Sequence, residues 1–173
     1  PLSNPKEEEF FRRVKELKLQ TAKIAAFGST RRASNKVEND PGIAALMACG
    51  AKVITLVGKT WDMHVTDVLR CGLDENIELC ADSVAYLLKH GMEVIFDAEH
   101  FFDGYKANPE YAMNVLKAVA ETGVQTVVLC ETNGGALPET VYEITETVCK
   151  ALPGITIGIH CHNDSDCAAA NSL

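Results

Sequence analysis

The sequence predicts an α/β domain built on a parallel sheet of about five strands, and two observations support this. Short β-branched runs alternate with longer segments whose apolar residues recur three and four positions apart, as in amphipathic helices. The short runs are nearly continuously apolar, which is typical of parallel strands covered on both faces. The predicted strands lie at residues 22–29, 53–59, 93–98, 126–131 and 156–162.

Start and stop signals separate the helices from these strands. Asn4-Pro5 and Asn108-Pro109 each place a capping residue before a proline at the first helical position. Gly50, Gly91 and Gly123 are expected to end helices, and each is followed closely by the next strand. The repeated unit of helix, glycine and strand predicts right-handed crossovers between parallel strands.

Similar start and stop signals of helices occur after residue 150. Gly154 occupies the same place before the fifth strand as the other glycines do before theirs. A further helix is expected to begin near Asp164.

Polar residues at the carboxyl ends of the predicted strands favour a barrel over an open doubly wound sheet. In a doubly wound sheet, only the strands beside the reversal of strand order should carry such residues. In a barrel, every strand end contributes to one mouth. All five ends are polar here: Ser29-Thr30-Arg31, Lys59-Thr60, Asp97 with Glu99, Glu131-Thr132-Asn133, and His160 with His162. We therefore expect a partial (β/α)8 TIM barrel, with residues 1–173 forming one partial catalytic domain.

Composition and charge argue against several classes of partner. The chain has 24 acidic against 16 basic side chains and a net charge of −8, which does not favour nucleic acid or an anionic membrane. Neither a membrane-spanning run nor a leader pattern is evident, so a cytoplasmic protein is expected. The seven cysteines include no C-x-x-C pair, which favours free, buried thiols in a reducing compartment.

Two histidines end the last predicted strand. Residues two apart on a strand point to one face, so His160 and His162 are expected to project together, with side-chain roots roughly 6–7 Å apart. Both imidazoles can then bind one divalent metal ion, with oxygen ligands and substrate at the other positions. The alternative is a polar strand end whose histidines are satisfied by hydrogen bonds. Mg, Mn, Zn and Co all suit such ligands, so the metal stays open.

Other strand ends carry further candidate residues. Asp97 and Glu99 share a face, and two carboxylates there should raise one pKa unless a cation or donor lies between them. The competing interpretation is that one of them caps the next helix or pairs with a neighbouring lysine. Thr132 can donate a hydrogen bond to a bound carboxylate, and Arg31 can pair with a carboxylate or phosphate. His64, in a loop with the only tryptophan, either lines a pocket or packs on the barrel rim.

Five sequence strings together resemble the citramalate synthase branch of the isopropylmalate and homocitrate synthase family. They are FGSTRR at 27–32, GKTWDMHV at 58–65, DAEHFFDGYK at 97–106, CETNGG at 130–135 and HCHND at 160–164. The resemblance implies a metal-dependent Claisen condensation on a TIM barrel, in which acetyl-CoA joins a 2-oxo acid and the thioester is hydrolysed. In this branch the 2-oxo acid is pyruvate and the product (R)-citramalate, on a route to isoleucine.

The resemblance also implies roles for individual residues. His160 and His162 match the metal-binding histidines of the family. Glu99 matches a glutamate beside the 2-oxo acid, His64 a histidine lining the site, and Thr132 a threonine that hydrogen-bonds the substrate carboxylate. Glu99, His64 and Thr132 are therefore the expected catalytic residues. The residues expected to bind substrate are Thr132, Glu99, Asp97 and Arg31.

The chain departs from the family pattern in several places. The Asp ligand and the Arg of the family's first strand have no counterpart, so the chain is expected to span family strands three to seven and to be inactive alone. Glu131 stands where the family usually has Asp, and its extra methylene is expected to shift Thr132. Asp166 stands where the family usually has Gly, and it places a charge near the metal loop.

Two alternative functions stay open. One is a metal-dependent carbon–carbon lyase of the same superfamily. The other is a non-catalytic module that associates with itself through open sheet edges, whose unpaired backbone groups make a homo-oligomer an expected state.

Overall fold

The sheet contains five parallel strands that follow one another in sequence order. A computed structural model of the protein describes residues 4–173. The strands are β1 (Ala25–Ser29), β2 (Val53–Lys59), β3 (Glu93–Glu99), β4 (Thr126–Glu131) and β5 (Thr156–Cys161). Each strand pairs in parallel with the next, in the order β1-β2-β3-β4-β5. Because this order never reverses, it is that of a barrel segment and not of a doubly wound sheet.

Helices connect the strands. They are α1 (Pro5–Val14), α2 (Pro41–Ala48), α3 (Leu73–Lys89), α4 (Phe101–Ala107), α5 (Pro109–Glu121), α6 (Pro138–Ala151) and α7 (Ala168–Asn171). A 3-10 turn at Val37–Asn39 and a π-helical segment at His64–Leu69 lie in two of the connections. Within residues 4–173, no helix combines the length and the apolar character needed to cross a membrane.

The predicted helix boundaries are confirmed at several points. The Asn4 side chain accepts hydrogen bonds from the Lys6 and Glu7 N–H groups, and Asn108 accepts one from the Tyr111 N–H. The four helix-ending glycines all have positive φ angles, between 77° and 90°: Gly50, Gly91, Gly123 and Gly154. This is the left-handed conformation that ends many helices.

Four predicted boundaries were wrong by one to four residues. β3 ends at Glu99, one residue beyond the predicted end. β1 begins at Ala25 and not at residue 22, because its pairing with β2 begins where Ala25 meets Val53. β5 ends at Cys161, one residue before the predicted end. The last helix begins at Ala168 and not near Asp164, because Asp166 adopts a left-handed φ of 59° that a helix cannot contain.

The two faces of the sheet are covered differently. Helices cover the outer face, whose apolar side chains are fully or almost fully buried: Ala26, Ile54, Leu56, Val94, Phe96, Ala98, Val127 and Leu129. The alternating residues form the inner face, which carries Phe27, Val57, Asp97, Val128, Cys130 and His160. Phe27 is 59% exposed there. The core of the domain therefore lies between the sheet and the helices.

Candidate active site

The sheet register brings the polar strand ends together on the inner face. Lys59 pairs with Glu99 across β2 and β3, and Cys130 pairs with His160 across β4 and β5. Asp97 pairs with Val128, two residues before Cys130 on the same face. Because paired residues of neighbouring strands share a face, these side chains converge at one mouth of the sheet.

Asp97 is a largely buried acidic residue on the inner face of the sheet. Its residue is only 9% exposed. Among residues 4–173, no backbone or side-chain group donates a hydrogen bond to it. Burial raises the pKa of its carboxyl group above the ordinary value, and the charge of nearby His160 partly opposes that rise. A cation or a donor bound at this point would stabilise the ionised carboxylate.

Three residues at this point, Asp97 among them, offer three kinds of ligand atom, and together these atoms fit a divalent metal ion. A ligand atom from each of Asp97, Cys130 and His160 lies within 4.8 Å of the other two. Burial, with the charges of Asp97 and Glu99, raises the pKa of the Cys130 thiol to about 12. Carboxylate oxygen, imidazole nitrogen and thiolate sulfur are all established ligands of divalent ions such as zinc.

The two predicted metal-binding histidines lie side by side. The ring centroids of His160 and His162 are 5.2 Å apart. The backbone N–H of His162 donates to the Glu131 carbonyl at 3.1 Å, which continues the strand pairing one residue beyond β5. Metal binding by this pair stays a prediction.

Glu99 forms an ion pair with a neighbouring lysine. This was one of the two alternatives to a catalytic role for Asp97 and Glu99. The Lys59 ammonium donates to Glu99 Oε2, and both side chains are about one quarter exposed. The Thr60 hydroxyl donates to the Glu99 carbonyl at 2.8 Å. Behind Lys59, the Asn76 amide donates to the Lys59 carbonyl and to the Tyr111 hydroxyl, each at 2.8 Å. Glu99 is thus held at the mouth by a partly buried polar network.

His64 lies in a small cluster of rings beside this pair. Its ring centroid is 4.8 Å from that of Trp61 and 4.5 Å from that of His100. Burial lowers the pKa of His64, and the positive charges of His100 and Lys59 lower it further. Its Nδ1 is buried and has no hydrogen-bond partner among residues 4–173. The lowered pKa thus favours the neutral form of the His64 imidazole.

His100 connects two of the loops and was not assigned a role from the sequence. It has a left-handed φ of 53°, and its backbone N–H donates to Thr132 Oγ1 at 3.0 Å. Its ring lies 3.5 Å from Asp103, whose Oδ2 also accepts from the Asn133 amide at 2.7 Å. The DAEHFFDG string marks this loop, but a left-handed backbone angle at a histidine leaves no sequence signal.

Thr132 is held by this contact with its hydroxyl hydrogen still available. The hydroxyl oxygen accepts from His100, so the hydroxyl hydrogen can rotate toward a ligand. Its role as a substrate-binding residue stays a prediction.

Glu131 organises the loop after β4. The residue is 1% exposed, and Oε1 accepts from the Gly135 N–H at 3.1 Å and the Ala136 N–H at 3.3 Å. Gly134 has a φ of 67°, and a Cβ added there would collide with Asp164. The Gly134 carbonyl accepts from the Ser165 N–H at 3.1 Å. The loops after β4 and β5 are therefore packed against each other.

Arg31 is held by protein groups. Its guanidinium pairs with Asp82 at 2.8 Å and donates to the Asn35 carbonyl at 2.9 Å. Arg31, Lys59 and Glu99 are among the residues that line a cavity of about 510 Å³ beside β1 and β2. The site thus contains Arg31 at its edge, and its role in substrate binding stays a prediction.

Comparisons with known proteins agree in family and fold. A family model described as HMGL-like matches residues 2–173. The chain is 51% identical over its full length to the (R)-citramalate synthase of Aquifex aeolicus (strain VF5) and 48% identical to that of Sulfolobus acidocaldarius. It spans about a third of the length of these relatives, 33% in each case.

A solved structure shows the same fold at low identity. The HMG-CoA lyase from Brucella melitensis superposes with a TM-score of 0.77 at 17% identity, over 96% of this chain and 56% of that one. This likeness supports the partial barrel predicted from the polar strand ends.

Proposed function

Because this chain belongs to the HMGL-like family, we propose that it is part of the catalytic barrel of an acyltransferase that makes (R)-citramalate. The substrates would be acetyl-CoA and a 2-oxo acid, with pyruvate as the acid. We include in this proposal a cytoplasmic location, a place on a route to isoleucine, and self-association of the barrel.

The observation that carries the proposal is the convergence of metal ligands and charged groups at one mouth. Asp97, Cys130 and His160 supply donors within 4.8 Å of one another. The Lys59–Glu99 ion pair lies on the neighbouring strands of the same face. A strand end with a purely structural role would not need free metal-ligand atoms and charged groups together.

His160 and His162 would hold the metal ion in this proposal. Their rings are adjacent, and both residues are exposed to solvent at the mouth. When bound, a divalent ion supplies Lewis-acid polarisation of a carbonyl oxygen.

His64 and Glu99 would handle the proton of the acetyl methyl group. The lowered pKa of His64 favours the neutral imidazole that a proton acceptor needs near neutral pH. Glu99 carries a carboxylate held in place by Lys59. Removal of the methyl proton leaves an electron pair on carbon, which forms the new bond to the keto carbon of the 2-oxo acid. The π pair of the keto group moves onto its oxygen, which takes up a proton and becomes a hydroxyl group. Water then cleaves the thioester and CoA leaves as a thiol.

Thr132 and Arg31 would hold the carboxylate of the 2-oxo acid, and Asp97 would lie beside the bound acid. The Thr132 hydroxyl can donate to a carboxylate oxygen while it accepts from His100. Arg31 would bind a substrate carboxylate in place of its present partner, Asp82. Asp97 faces the same space without a protein partner and would contact whichever cationic or donating group is bound there.

A chimaeric barrel gives the sharpest test, because this chain aligns over all of its 173 residues with the Aquifex aeolicus relative. We propose that the chain alone releases no CoA. The chain substituted for its counterpart in that relative should release CoA from acetyl-CoA and pyruvate. Chromatographic detection of CoA avoids interference from the seven cysteines.

The same chimaera separates the alternatives. His162→Ala should abolish CoA release, whereas Cys161→Ala, one residue away on the opposite face, should retain it. Release with another 2-oxo acid but not with pyruvate would refute the assigned substrate. No release with any 2-oxo acid, together with cleavage of a 2-hydroxy acyl-CoA, would refute condensation in favour of the lyase.

A further inference from the structure

His100 lies where three loops of the site meet. It follows β3 directly, and its backbone N–H donates to Thr132 Oγ1 in the loop after β4 at 3.0 Å. The centroid of its ring lies 4.5 Å from that of His64, which belongs to the connection after β2. One residue therefore contacts both the hydroxyl proposed to bind substrate and the imidazole proposed to accept a proton.

The backbone of His100 has an uncommon conformation for a residue with a side chain. Its φ of 53° and ψ of 33° lie in the left-handed region, which glycine occupies without steric cost. A glycine at this position would supply the same N–H group to Thr132 more easily. The hydrogen bond to Thr132 therefore does not require a histidine, and the contacts of the imidazole are what a histidine adds.

The His100 imidazole is fixed by a carboxylate and two rings. Its Nδ1 lies 3.5 Å from Asp103 Oδ2, and the side chain is 15% exposed. Asp103 Oδ2 also accepts from the Asn133 amide at 2.7 Å, which joins this group to the loop after β4. The rings of His100 and His64 meet edge to face at 81°, and the Trp61 ring lies 5.8 Å from that of His100.

We propose that His100 is a positioning residue, which holds the His64 imidazole and the Thr132 hydroxyl in one fixed relative position for the condensation. The inference rests on the proposed function for the roles of those two residues. His100 acts on Thr132 through its backbone and on His64 through its ring. A substitution that retains the backbone conformation and removes the ring therefore separates the two contacts.

Charge gives a readout that packing alone would not. The charged groups that face His64 are His100, Lys59, Glu99 and Asp103. Burial lowers the pKa of His64, the positive charges of His100 and Lys59 lower it further, and the two carboxylates raise it. Removal of the His100 ring should thus raise the pKa of His64, and removal of the Asp103 charge should lower it.

An NMR titration of the His64 imidazole in the chain tests this contact without catalysis. His100→Asn should raise the pKa of His64 by about 0.5 pH unit or more, and Asp103→Asn should lower it by a smaller amount. Asparagine tolerates the left-handed backbone. His90→Asn is the matched control, since the His90 ring contacts Tyr86 and precedes β3, at the other end of the sheet. It should leave the titration of His64 unchanged.

Kinetics of the chimaeric barrel test the role in the reaction. His100→Asn should lower kcat for CoA release by about 10- to 100-fold, because the proton acceptor loses its fixed position. The KM for pyruvate should stay nearly unchanged, because the backbone N–H still holds Thr132. The acidic limb of the pH profile of kcat/KM should move to higher pH with the pKa of His64. His90→Asn should retain kcat, KM and the pH profile.

A second variant keeps the test decisive if His100→Asn does not fold. His100→Gly adopts the left-handed backbone without strain and should give the same results. Circular dichroism of each variant checks its folding.

The two measurements separate the inference from the proposed function. An unchanged pKa of His64 in the folded variants, or an unchanged kcat in the chimaera, would overturn the inference. A higher KM for pyruvate with an unchanged kcat would also overturn it, because His100 would then act on substrate binding alone. The shift in the pKa of His64, together with no CoA release by the unmodified chimaera, would refute the proposed function and retain the contact.

Discussion

Phe96 and Asp97 are adjacent on β3, and their side chains lie on opposite faces of the sheet. Phe96 is fully buried on the outer face among the apolar side chains of the core. Asp97 is nearly as buried on the inner face, yet no protein group among residues 4–173 donates to it. Burial of Phe96 contributes to folding, whereas burial of Asp97 costs free energy that a bound cation would recover.

The same difference extends along the sheet. Apart from Glu131 at the end of β4, buried residues of the outer face are apolar from β1 to β4, whereas the inner face becomes polar toward the carboxyl ends of β2 to β5. The outer face therefore contributes mainly to stability, and the inner face of the same strands carries the residues proposed for the chemistry. This division can be tested by substitutions that affect one face and not the other.

The largest expected effect is at Phe96. Phe96→Ala should lower the free energy of unfolding by about 3–5 kcal/mol, because it leaves a cavity in the core. Asp97→Asn should leave it unchanged or raise it slightly when a chelator is present, because the substitution removes a charge whose burial is unfavourable. Urea denaturation measures both, and Phe96→Leu should give a smaller loss than Phe96→Ala. Equal losses at residues 96 and 97 would contradict the division between the faces.

A pair of strand glycines sharpens the comparison. A Cβ on Gly58 would lie 2.6 Å from the Phe96 ring and 2.8 Å from the Cys80 sulfur. Gly58→Ala should therefore cost about 1–3 kcal/mol. On the inner face, a Cβ on Gly158 would meet only Val128 closely, at 3.1 Å.

Gly158→Ala is the control for this pair. Because the half-buried Val128 side chain can move, the free energy of unfolding should change by less than about 1 kcal/mol. A greater loss in Gly158→Ala than in Gly58→Ala would show that the inner face is packed as tightly as the outer one.

Asp40 provides a satisfied carboxylate to compare with Asp97. Burial alone would raise the pKa of Asp40, but hydrogen bonds from Arg32, Asn35, Ile43 and Gly42 outweigh it and lower the pKa. A lowered pKa stabilises the fold above the unfolded value of about 3.9, and this contribution is lost as the pH falls through the folded pKa.

Removing this cap should have a pH-dependent effect. Asp40→Ala should lose about 1 kcal/mol near neutral pH, since Asp40 is the N-cap of α2. The difference from the unmodified chain should shrink below about pH 4. Thermal melts across a pH series measure it, and a difference that grows on acidification would contradict the assigned hydrogen bonds.

The smallest expected effect is at the contact between two site loops. Thr132→Val should cost about 1 kcal/mol, because the His100 N–H loses its acceptor. Thr132→Ser retains the oxygen and should have nearly the original stability. Urea denaturation compares the two variants, and a loss in Thr132→Ser that is larger than the loss in Thr132→Val would show that the methyl group and not the hydrogen bond matters.

Local patterns predicted the strands and the helix ends because each depends on residues close in sequence. The capping of α5 by Asn108 and the left-handed glycines Gly50 and Gly91 are of this kind. The pairing of Arg31 with Asp82 could not be predicted, because it joins residues 51 positions apart. For such contacts, the tertiary fold determines which of several chemically suitable residues becomes the partner.

The candidate metal ligands illustrate the same limit. His160 and His162 are visible in sequence because they alternate on one strand. Cys130 reads as an ordinary buried thiol, and only the register of β4 and β5 places it beside His160. The left-handed backbone at His100 is likewise fixed by its contact with Thr132 and not by local preference.

The most direct test of the central claim compares activity and stability for adjacent residues of β5. In the chimaeric barrel, His160→Ala should reduce CoA release from acetyl-CoA and pyruvate by at least ~100-fold, with little change in melting temperature. Ile159→Ala, on the outer face, should lower the melting temperature and retain turnover at low temperature. CoA release by His160→Ala at the unmodified rate would contradict the assignment of chemistry to the inner face.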